Sequence, residues 1–188
     1  TGIENIYEII SIILEDKEKR KIFEKETSDE KNIDTKYWKA IEINKIFDVT
    51  GSKTTPKKKL EEIGKGEYPY ITTRATNNGV DGYYNYYTDK GNVLTLDSAT
   101  IGYCSYQKNN FTASDHVEKL IPKFKMTANM AIFLQTLLNK EQFRYSYGRK
   151  FNQTRIENTK IIIPFKDKSP DWNFMNEFVK HIFDKNIL

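Results

Sequence analysis

The chain has 188 residues, enough for one domain of ordinary size with its own hydrophobic core. Although 30% of the residues are charged, 12 Tyr, 11 Phe and 2 Trp are far more aromatic residues than a disordered chain carries, so the composition excludes disorder. A single cysteine excludes an intramolecular disulfide, and the two histidines beside it do not suffice for a zinc-type ligand cluster. No apolar run approaches a membrane span of ~20 residues and no signal-peptide pattern opens the chain, so we expect a cytoplasmic protein without a membrane partner.

The net charge of +4 is unevenly distributed. Residues 1–36 contain seven Lys/Arg against ten Asp/Glu, whereas residues 37–188 contain 23 against 16. A basic domain attracts polyanions and gains affinity by releasing counterions from phosphates. A composition rich in Lys, Asn and Ile that reflects an AT-rich genome explains the excess equally well.

The N-terminal residues 1–36 predict an appendage. Apolar residues recur at helical spacing from Ile3 to Leu14, and charged residues continue to Lys25, which predicts an amphipathic helix over 3–25. A polar linker follows at 27–35. A helix with a narrow apolar stripe must pack on something, and the domain itself and a partner are both open. Residues 37–188 then form the second predicted unit.

The central part predicts a series of strands. Apolar residues between Ile41 and Val49 predict a strand, or a strand with a bulge, that ends at Gly51. Residues 52–59 predict a basic loop, because Pro56 excludes the interior of a strand. The turn at 89–91 predicts a hairpin. Further strands are predicted at 68–73, 82–88, 92–96, 100–106 and 116–121, and further turns at 77–79 and 108–110.

Helical periodicity returns towards the C-terminus. It predicts a helix over 127–140, capped by Thr127, and a short capping-box turn at 154–157. A strand over 159–165, stopped by Pro164, precedes a last helix introduced by Ser169-Pro170-Asp171. The expected fold class is α+β: a mostly antiparallel or mixed β-sheet core with flanking helices, preceded by the N-terminal amphipathic helix.

We find no catalytic, metal-binding or cofactor-binding pattern. Glu15-Asp16-Lys17 has the spacing of nuclease ligands but lies on a charged helix without an upstream acidic partner. Asp97 and Asp115 could share a metal, but surface turns explain both. Ser114-Asp115-His116 contains triad residue types, yet neighbours in an extended segment cannot form a relay. Gly64-Lys65-Gly66 is too short for a phosphate loop.

Three basic or polar segments favour DNA binding. The first contains four lysines and a threonine suited to grip phosphates, although an ordinary solvated loop is the alternative. The second ends the strand at 68–73, where Arg can bind guanine and Asn adenine; the turn-forming role of Asn77-Asn78-Gly79 competes, so we expect base readout mainly at Arg74. The third, 144–155, predicts a flexible basic loop that follows the DNA backbone. The candidate DNA-binding residues are Lys53, Thr54, Lys57, Lys58, Lys59, Thr72, Thr73, Arg74, Asn77, Asn78, Arg149, Lys150, Asn152 and Arg155.

The order of these segments resembles a known family. Trp38-Lys39 opens a first strand, a Gly-Ser-Lys-Thr-Thr-Pro loop and a Tyr-Pro-Tyr-Ile strand follow, and the Ile-Ile-Ile-Pro strand closes the series. This order resembles target recognition domains of Type I restriction-modification specificity subunits. The ending at 170–178 resembles the specificity part of Type IIG and BcgI-like systems. The resemblance covers about residues 37–183, and Lys166 to Asp171 stands where a Leu-Pro-Glu-Gln-like element is common in Type I subunits.

The resemblance implies a noncatalytic domain that binds half of a bipartite site in double-stranded DNA and directs methyltransferase and endonuclease activity to it. Implied partners are a DNA methyltransferase (modification) subunit or domain and a second recognition domain or a homodimer. Gly51, Pro69, Gly148, Thr154 and Pro164 match framework positions. The chain is then a fragment, a half-length subunit or the tail of a fused enzyme; we favour the fragment or the tail. Two other classes stay open: a structure-specific nuclease, and a protein interaction module that uses the tyrosines at 83–87.

Overall fold

The structure, a computed structural model, describes residues 35–99, 102–140 and 153–186. The predicted helix at 3–25 lies outside the described residues, as does all of the predicted linker except Thr35. The chain divides into two units, Thr1–Tyr37 and Trp38–Leu188, and every strand and α-helix described below belongs to the second. The nature of the first unit stays a prediction.

Ten strands and five α-helices are described. In chain order they are β1 (Trp38–Glu42), α1 (Ile43–Ile46), β2 (Phe47–Gly51), α2 (Lys57–Ile63), β3 (Lys65–Ile71), β4 (Val80–Tyr84), β5 (Val93–Asp97), β6 (Cys104–Gln107), β7 (Thr112–Ala113), β8 (Val117–Pro122), α3 (Ala128–Lys140), α4 (Gln153–Asn158), β9 (Lys160–Lys166), β10 (Ser169–Pro170) and α5 (Trp172–Asn186). Short 3₁₀ turns occupy Thr35–Tyr37 and Asn77–Gly79.

The strands form three sheets, in the orders β1-β9-β10, β2-β8-β5-β6 and β4-β3-β7. All pairings between these strands are antiparallel except that of β3 with β7. The predicted α+β class with a mostly antiparallel or mixed sheet is therefore confirmed. Among the residues described, no helix is long and apolar enough to cross a membrane.

The single strand predicted between Ile41 and Gly51 is wrong. One helical turn, α1, interrupts it and buries Ile43 and Ile46. The turn is needed because the two halves join different sheets: β1 pairs with β9, whereas β2 pairs with β8. The Ile43 N–H donates to the Thr159 carbonyl at 2.9 Å, which supplies the backbone partner that an uninterrupted strand would have had.

The predicted hairpin at 89–91 is also wrong, because β4 and β5 lie in different sheets. Asp89 instead forms an isolated antiparallel bridge with Phe111, and its side chain is buried. The aspartate at the tip of a hairpin turn would be exposed to water. The Asp89 carboxylate is instead held by a tertiary contact, which the local sequence pattern does not show.

Pro164 does not stop its strand as predicted. β9 continues to Lys166, and Pro164 is the last residue that pairs with β1, opposite Trp38. A missing N–H is tolerated at the end of a ladder, and the Pro164 carbonyl accepts a bond from the Asp171 N–H at 2.9 Å. Beyond it, β9 and β10 form a tight hairpin in which Asp167 has a φ of 57°.

The two predicted helix starts at the C-terminal end are confirmed. The Thr127 hydroxyl accepts a bond from the Met130 N–H at 3.3 Å before α3, and the Asp171 carboxylate accepts one from the Phe174 N–H at 2.9 Å at the start of α5. The capping-box turn predicted at 154–157 is instead part of the six-residue helix α4.

Helices cover both edges of the four-stranded sheet through amide side chains. On α3, Asn139 accepts a bond from the Cys104 N–H (2.8 Å) and donates to the Cys104 carbonyl (3.0 Å), and Gln135 accepts one from the Tyr106 N–H (2.9 Å). At the opposite edge, Gln153 of α4 donates to the Val49 carbonyl at 2.8 Å. These side chains satisfy backbone groups that an edge strand would otherwise expose.

Candidate nucleic-acid interface

The segment 52–56, which follows β2, is held by backbone hydrogen bonds to the neighbouring chain. The Thr55 N–H donates to the Ala113 carbonyl at 2.8 Å, and Thr54 forms a parallel bridge with Ala113. The Ser52 N–H donates to the Val117 carbonyl at 3.0 Å. The backbone that carries Lys53 is thus fixed, while the Lys53 and Thr54 side chains are exposed.

The buried carboxylate of Asp89 also holds this segment in place. Its carboxylate accepts hydrogen bonds from the Lys53 N–H (3.1 Å), the Thr88 hydroxyl (2.8 Å) and the Lys119 ammonium (2.6 Å). A buried carboxylate is stable only when such donors compensate its lost hydration. Sequence reasoning missed this role, because Lys119 lies 30 positions further along the chain.

The predicted basic loop ends at Pro56, since Lys57, Lys58 and Lys59 form the first turn of α2. Pro56 precedes the helix with a φ of −61°. This fixed φ suits the start of a helix, whereas the missing N–H of proline excludes it from the interior of a strand. Leu60 is fully buried and holds α2 against the rest of the domain. All three lysines are exposed.

Three lysines in a first turn do not stabilise a helix. The N-terminal end of a helix carries a partial positive charge, so cations there are unfavourable, and α2 has no acidic residue in its first turn. Their presence therefore calls for a reason other than helix stability. An exposed cationic turn on a fixed backbone is suited to contact phosphates.

Arg74 and Lys57 meet at one carboxylate, that of Asp81 at the start of β4. The Lys57 ammonium lies 2.7 Å from Asp81 Oδ2, and Arg74 Nη2 lies 3.5 Å from Asp81 Oδ1. Arg74 Nη1 also donates to the Val80 carbonyl at 3.4 Å. The hydrogen bond from Lys57 lowers the pKa of Asp81, against a smaller opposing effect of burial, and the same bond raises the pKa of Lys57.

The structure thus brings two of the predicted segments together, and the residue that joins them was missed. Arg74 and Asp81 flank the Asn77-Asn78 turn at equal distance in the sequence. Because the pattern predicted strands on both sides of this turn, the facing positions of a hairpin offered a signal for the pair.

The asparagines of this turn have structural partners. Asn77, Asn78 and Gly79 have φ values of 49°, 52° and 79°, the left-handed region that Asn and Gly tolerate. The Asn77 amide donates to the Val80 carbonyl at 3.1 Å, and the Asn78 amide donates to the Tyr106 carbonyl at 2.8 Å. These bonds support the turn-forming role, and adenine readout by either residue stays a prediction.

Thr72 and Thr73 connect β3 to this turn. The Thr72 N–H donates to the Gly79 carbonyl at 2.8 Å, and its hydroxyl lies 3.4 Å from the same oxygen. Both threonines are partly exposed. Their predicted contact with DNA is compatible with this exposure and stays a prediction.

Two of the tyrosines at 83–87 lie against α2. The Lys59 ammonium lies 5.4 Å from the centre of the Tyr86 ring, and Tyr84 is buried beneath Leu60. Tyr68 and Tyr87 are in contact, with ring centres 4.6 Å apart. Tyr84 therefore belongs to the core, whereas Tyr83 and Tyr87 are exposed.

Of the third predicted segment, only its last residues are described. Arg155 is exposed on α4, the helix that contacts β2 through Gln153, and β2 leads directly into the lysine-bearing segment. Arg149, Lys150 and Asn152 lie outside the described residues, as does the framework residue Gly148. Their part in DNA binding stays a prediction.

The described residues do not support the catalytic alternatives considered from the sequence. The Ser114 hydroxyl donates to the Asp115 carbonyl at 3.2 Å rather than to His116, so these three residues form no relay. Within residues 35–99, 102–140 and 153–186, no group of three or more His, Cys, Asp or Glu side chains is arranged to hold a metal ion.

Comparison with known proteins identifies relatives. The family model described as Type I restriction modification DNA specificity domain matches residues 35–186. Among curated proteins, the chain is similar to the Type II restriction enzyme BgcI specificity subunit S.BcgI of Heyndrickxia coagulans, with 32% identity over 145 residues. The match covers 74% of this chain and 42% of that protein, so the chain spans less than half of the relative's length.

Solved structures share the fold. The S subunit of a Type I restriction-modification system from M. genitalium matches 80% of this chain and 40% of its own, with a TM-score of 0.59 and 15% identity. The HsdS subunit of Thermoanaerobacter tengcongensis matches 98% of this chain and 48% of its own, with a TM-score of 0.57 and 11% identity.

Proposed function

Since the chain belongs to the Type I restriction modification DNA specificity domain family, we propose that it recognises a short sequence in double-stranded DNA and catalyses no reaction itself. The observation that carries the proposal is the meeting of the cationic turn with Arg74 at Asp81. A phosphate-binding group and a base-reading group must lie side by side, because phosphate contacts set the register in which a base contact reads sequence.

We assign individual roles to these residues on the basis of their contacts. Lys58 and Lys59 are exposed cations on a fixed helix and bind phosphates, with Lys53 on the preceding segment. Arg74 has weak internal partners, at 3.4 and 3.5 Å, that a guanine can replace through its O6 and N7 atoms. Arg155 on α4 contacts the DNA backbone, together with the basic residues that precede it in the sequence.

The chain acts as one recognition domain of a larger protein. The similar curated protein is a specificity subunit more than twice as long as the matched region. We infer that the whole protein binds a DNA methyltransferase subunit or domain and contains or recruits a second recognition domain, by duplication or as a homodimer. It then directs methylation and cleavage to the site that the domain reads.

The test uses the 188-residue chain and a pool of duplexes with a randomised central segment. Bound duplexes are recovered and sequenced, and the enriched duplex is compared with a scrambled one by fluorescence anisotropy at several salt concentrations. We expect one enriched motif and affinities that fall with salt for both duplexes. Equal binding of enriched and scrambled duplexes at every salt concentration would contradict sequence recognition, and the absence of salt-dependent binding would favour a protein interaction module.

A further inference from the structure

Asp81 is an acidic residue between two cationic side chains, those of Lys57 and Arg74. Lys53, Lys58 and Lys59 are exposed, whereas Asp81 is partly buried beside Lys57 and Arg74. A carboxylate that faces DNA phosphates lowers affinity through like-charge repulsion. A surface shaped for affinity alone would not contain it.

The two oxygens of Asp81 have unequal partners. Oδ2 accepts a short charge-assisted bond from Lys57 at 2.7 Å, whereas Oδ1 lies 3.5 Å from Arg74 Nη2, beyond the distance of a strong bond. The Lys57 bond fixes the carboxylate, and the fixed carboxylate in turn restrains Arg74. Arg74 is still 47% exposed, so it is oriented without being fully engaged.

An oriented but weakly engaged arginine suits base readout. A guanidinium that reads guanine must present two N–H groups in one plane, and a long side chain loses conformational entropy when it is ordered. An internal partner that orders the side chain before binding reduces this loss. The same partner cancels one positive charge, so the group of Lys57, Arg74 and Asp81 has a net charge of +1 and adds little indiscriminate attraction to phosphates.

We propose that Asp81 is a specificity-determining positioning residue, which orients Arg74 for base readout and limits non-specific binding to the DNA backbone. The inference rests on the proposed function, because it requires that Arg74 reads a base. Asp81 itself touches no base in this role. It acts through Arg74, and Lys57 acts through Asp81.

The substitution Asp81→Asn separates specificity from affinity. Removing the negative charge raises the local net charge from +1 to +2, so the Kd for a scrambled duplex falls several-fold at low salt and its salt dependence becomes steeper. Discrimination falls at the same time, because Arg74 is no longer oriented. We expect the ratio of the Kd values for scrambled and enriched duplexes to drop about tenfold, within the range of one lost bidentate base contact.

A matched control is Asp48→Asn. Asp48 is likewise an aspartate paired with a lysine, Lys123, at 3.0 Å, but no arginine joins this pair in the described structure. The control makes the same change in charge and should leave the ratio of the Kd values for scrambled and enriched duplexes unchanged. Asp81→Glu retains the carboxylate and should restore part of the discrimination. Thermal unfolding of each variant shows whether any has lost its fold.

A second measurement does not depend on DNA. The NMR relaxation of the Arg74 side-chain N–H groups in the free protein should show less order in Asp81→Asn and no change in Asp48→Asn. Unchanged order of the Arg74 side chain in Asp81→Asn, or a ratio of Kd values within twofold of that of the unaltered chain, overturns the role of Asp81. A motif enriched by the unaltered chain would still support sequence recognition in that case. If the unaltered chain enriches no motif, the proposed function fails, and the role of Asp81 in readout fails with it.

Discussion

Two lysine–aspartate pairs in this domain have nearly equal ammonium–carboxylate distances but differ in burial. Lys119 and Asp89 lie 2.6 Å apart with side chains 15% and 2% exposed, and Lys57 and Asp81 lie 2.7 Å apart with side chains 50% and 24% exposed. The distances alone would assign both pairs the same role. Their surroundings assign different roles.

The buried pair belongs to the framework of the domain. Asp89 is also bonded to Thr88 and to the backbone of Lys53, so its charge is compensated on several sides. Breaking such a pair leaves a buried charge without its main partner. The exposed pair contributes little to stability, because water screens it and both side chains lose freedom in forming it. An exposed pair can therefore be used for binding at little expense in stability.

The largest effect is expected from Lys119→Met. The substitution leaves Asp89 buried without its cationic partner, and we expect the free energy of unfolding to fall by about 3–5 kcal/mol. Urea denaturation followed by circular dichroism measures the change. The matched control is Lys123→Met, which breaks the exposed pair with Asp48 and should change the free energy little. A loss below about 1 kcal/mol for Lys119→Met would show that the buried pair is not a framework element.

The next effect is expected in discrimination rather than stability. Arg74→Ala removes the proposed base contact, and we expect the preference for one base pair of the enriched motif to weaken by about 1–3 kcal/mol. Anisotropy with single-base-pair variants of the enriched duplex measures it. Arg74→Lys retains the charge but replaces the rigid planar pair of N–H groups with a flexible ammonium, so it should restore the preference only in part. An equal loss of affinity for every duplex would instead identify Arg74 as a phosphate contact.

The same contrast explains what the sequence could predict. The sequence predicts Thr127 as a helix cap and Ser169-Pro170-Asp171 as a helix start, because such signals act on N–H groups only two or three residues away. The fold class followed from the alternation of strand and turn signals. Asp89 was assigned to a turn tip because its partner Lys119 is distant in the sequence, and α1 was missed because only the assembled sheets show that the chain must pass from one to another.

The sequence predicts individual residues of the candidate site but not the contacts that join them. Residue type and position, in a basic loop and at a strand end, identified Lys58, Lys59 and Arg74 as candidates. Their mutual arrangement depends on Asp81, and the sequence pattern contains no rule that joins α2 to the β3–β4 hairpin. Asn77 and Asn78 differ, because their amides already donate to the Val80 and Tyr106 carbonyls, and adenine readout by either residue stays a prediction.

A smaller effect is expected from Lys58 and Lys59, the lysines of α2 that do not contact Asp81. Lys58→Gln and Lys59→Gln each remove one proposed phosphate contact, so affinity should fall to a similar extent for enriched and scrambled duplexes. The slope of log affinity against log salt should decrease by about one for each substitution. Lys168→Gln, in the turn of a different sheet, is the control and should leave the slope unchanged. A change confined to the enriched duplex would contradict a pure phosphate contact.

The smallest effect is expected from Lys57→Gln, although Lys57 lies in the same turn. Its ammonium is already bonded to Asp81, so it is less available to a phosphate than that of Lys58, and its removal leaves the Asp81 carboxylate less firmly held beside Arg74. We expect a smaller loss of affinity and a smaller decrease in the salt slope than for Lys58→Gln, a loss of discrimination smaller than for Asp81→Asn, and an unchanged melting temperature.

The pH dependence of this difference follows from the two pKa shifts. The pKa of Asp81 is lowered, so the pair forms above the usual carboxyl range and is lost only as pH falls through that lowered value; the pKa of Lys57 is raised, so the pair is lost only at high pH. Both groups are charged between about pH 5 and 9, and the difference between Lys57→Gln and Lys58→Gln should be constant across that range. Equal losses for the two variants would mean that DNA displaces Asp81 from Lys57, and that the exposed pair opens on binding.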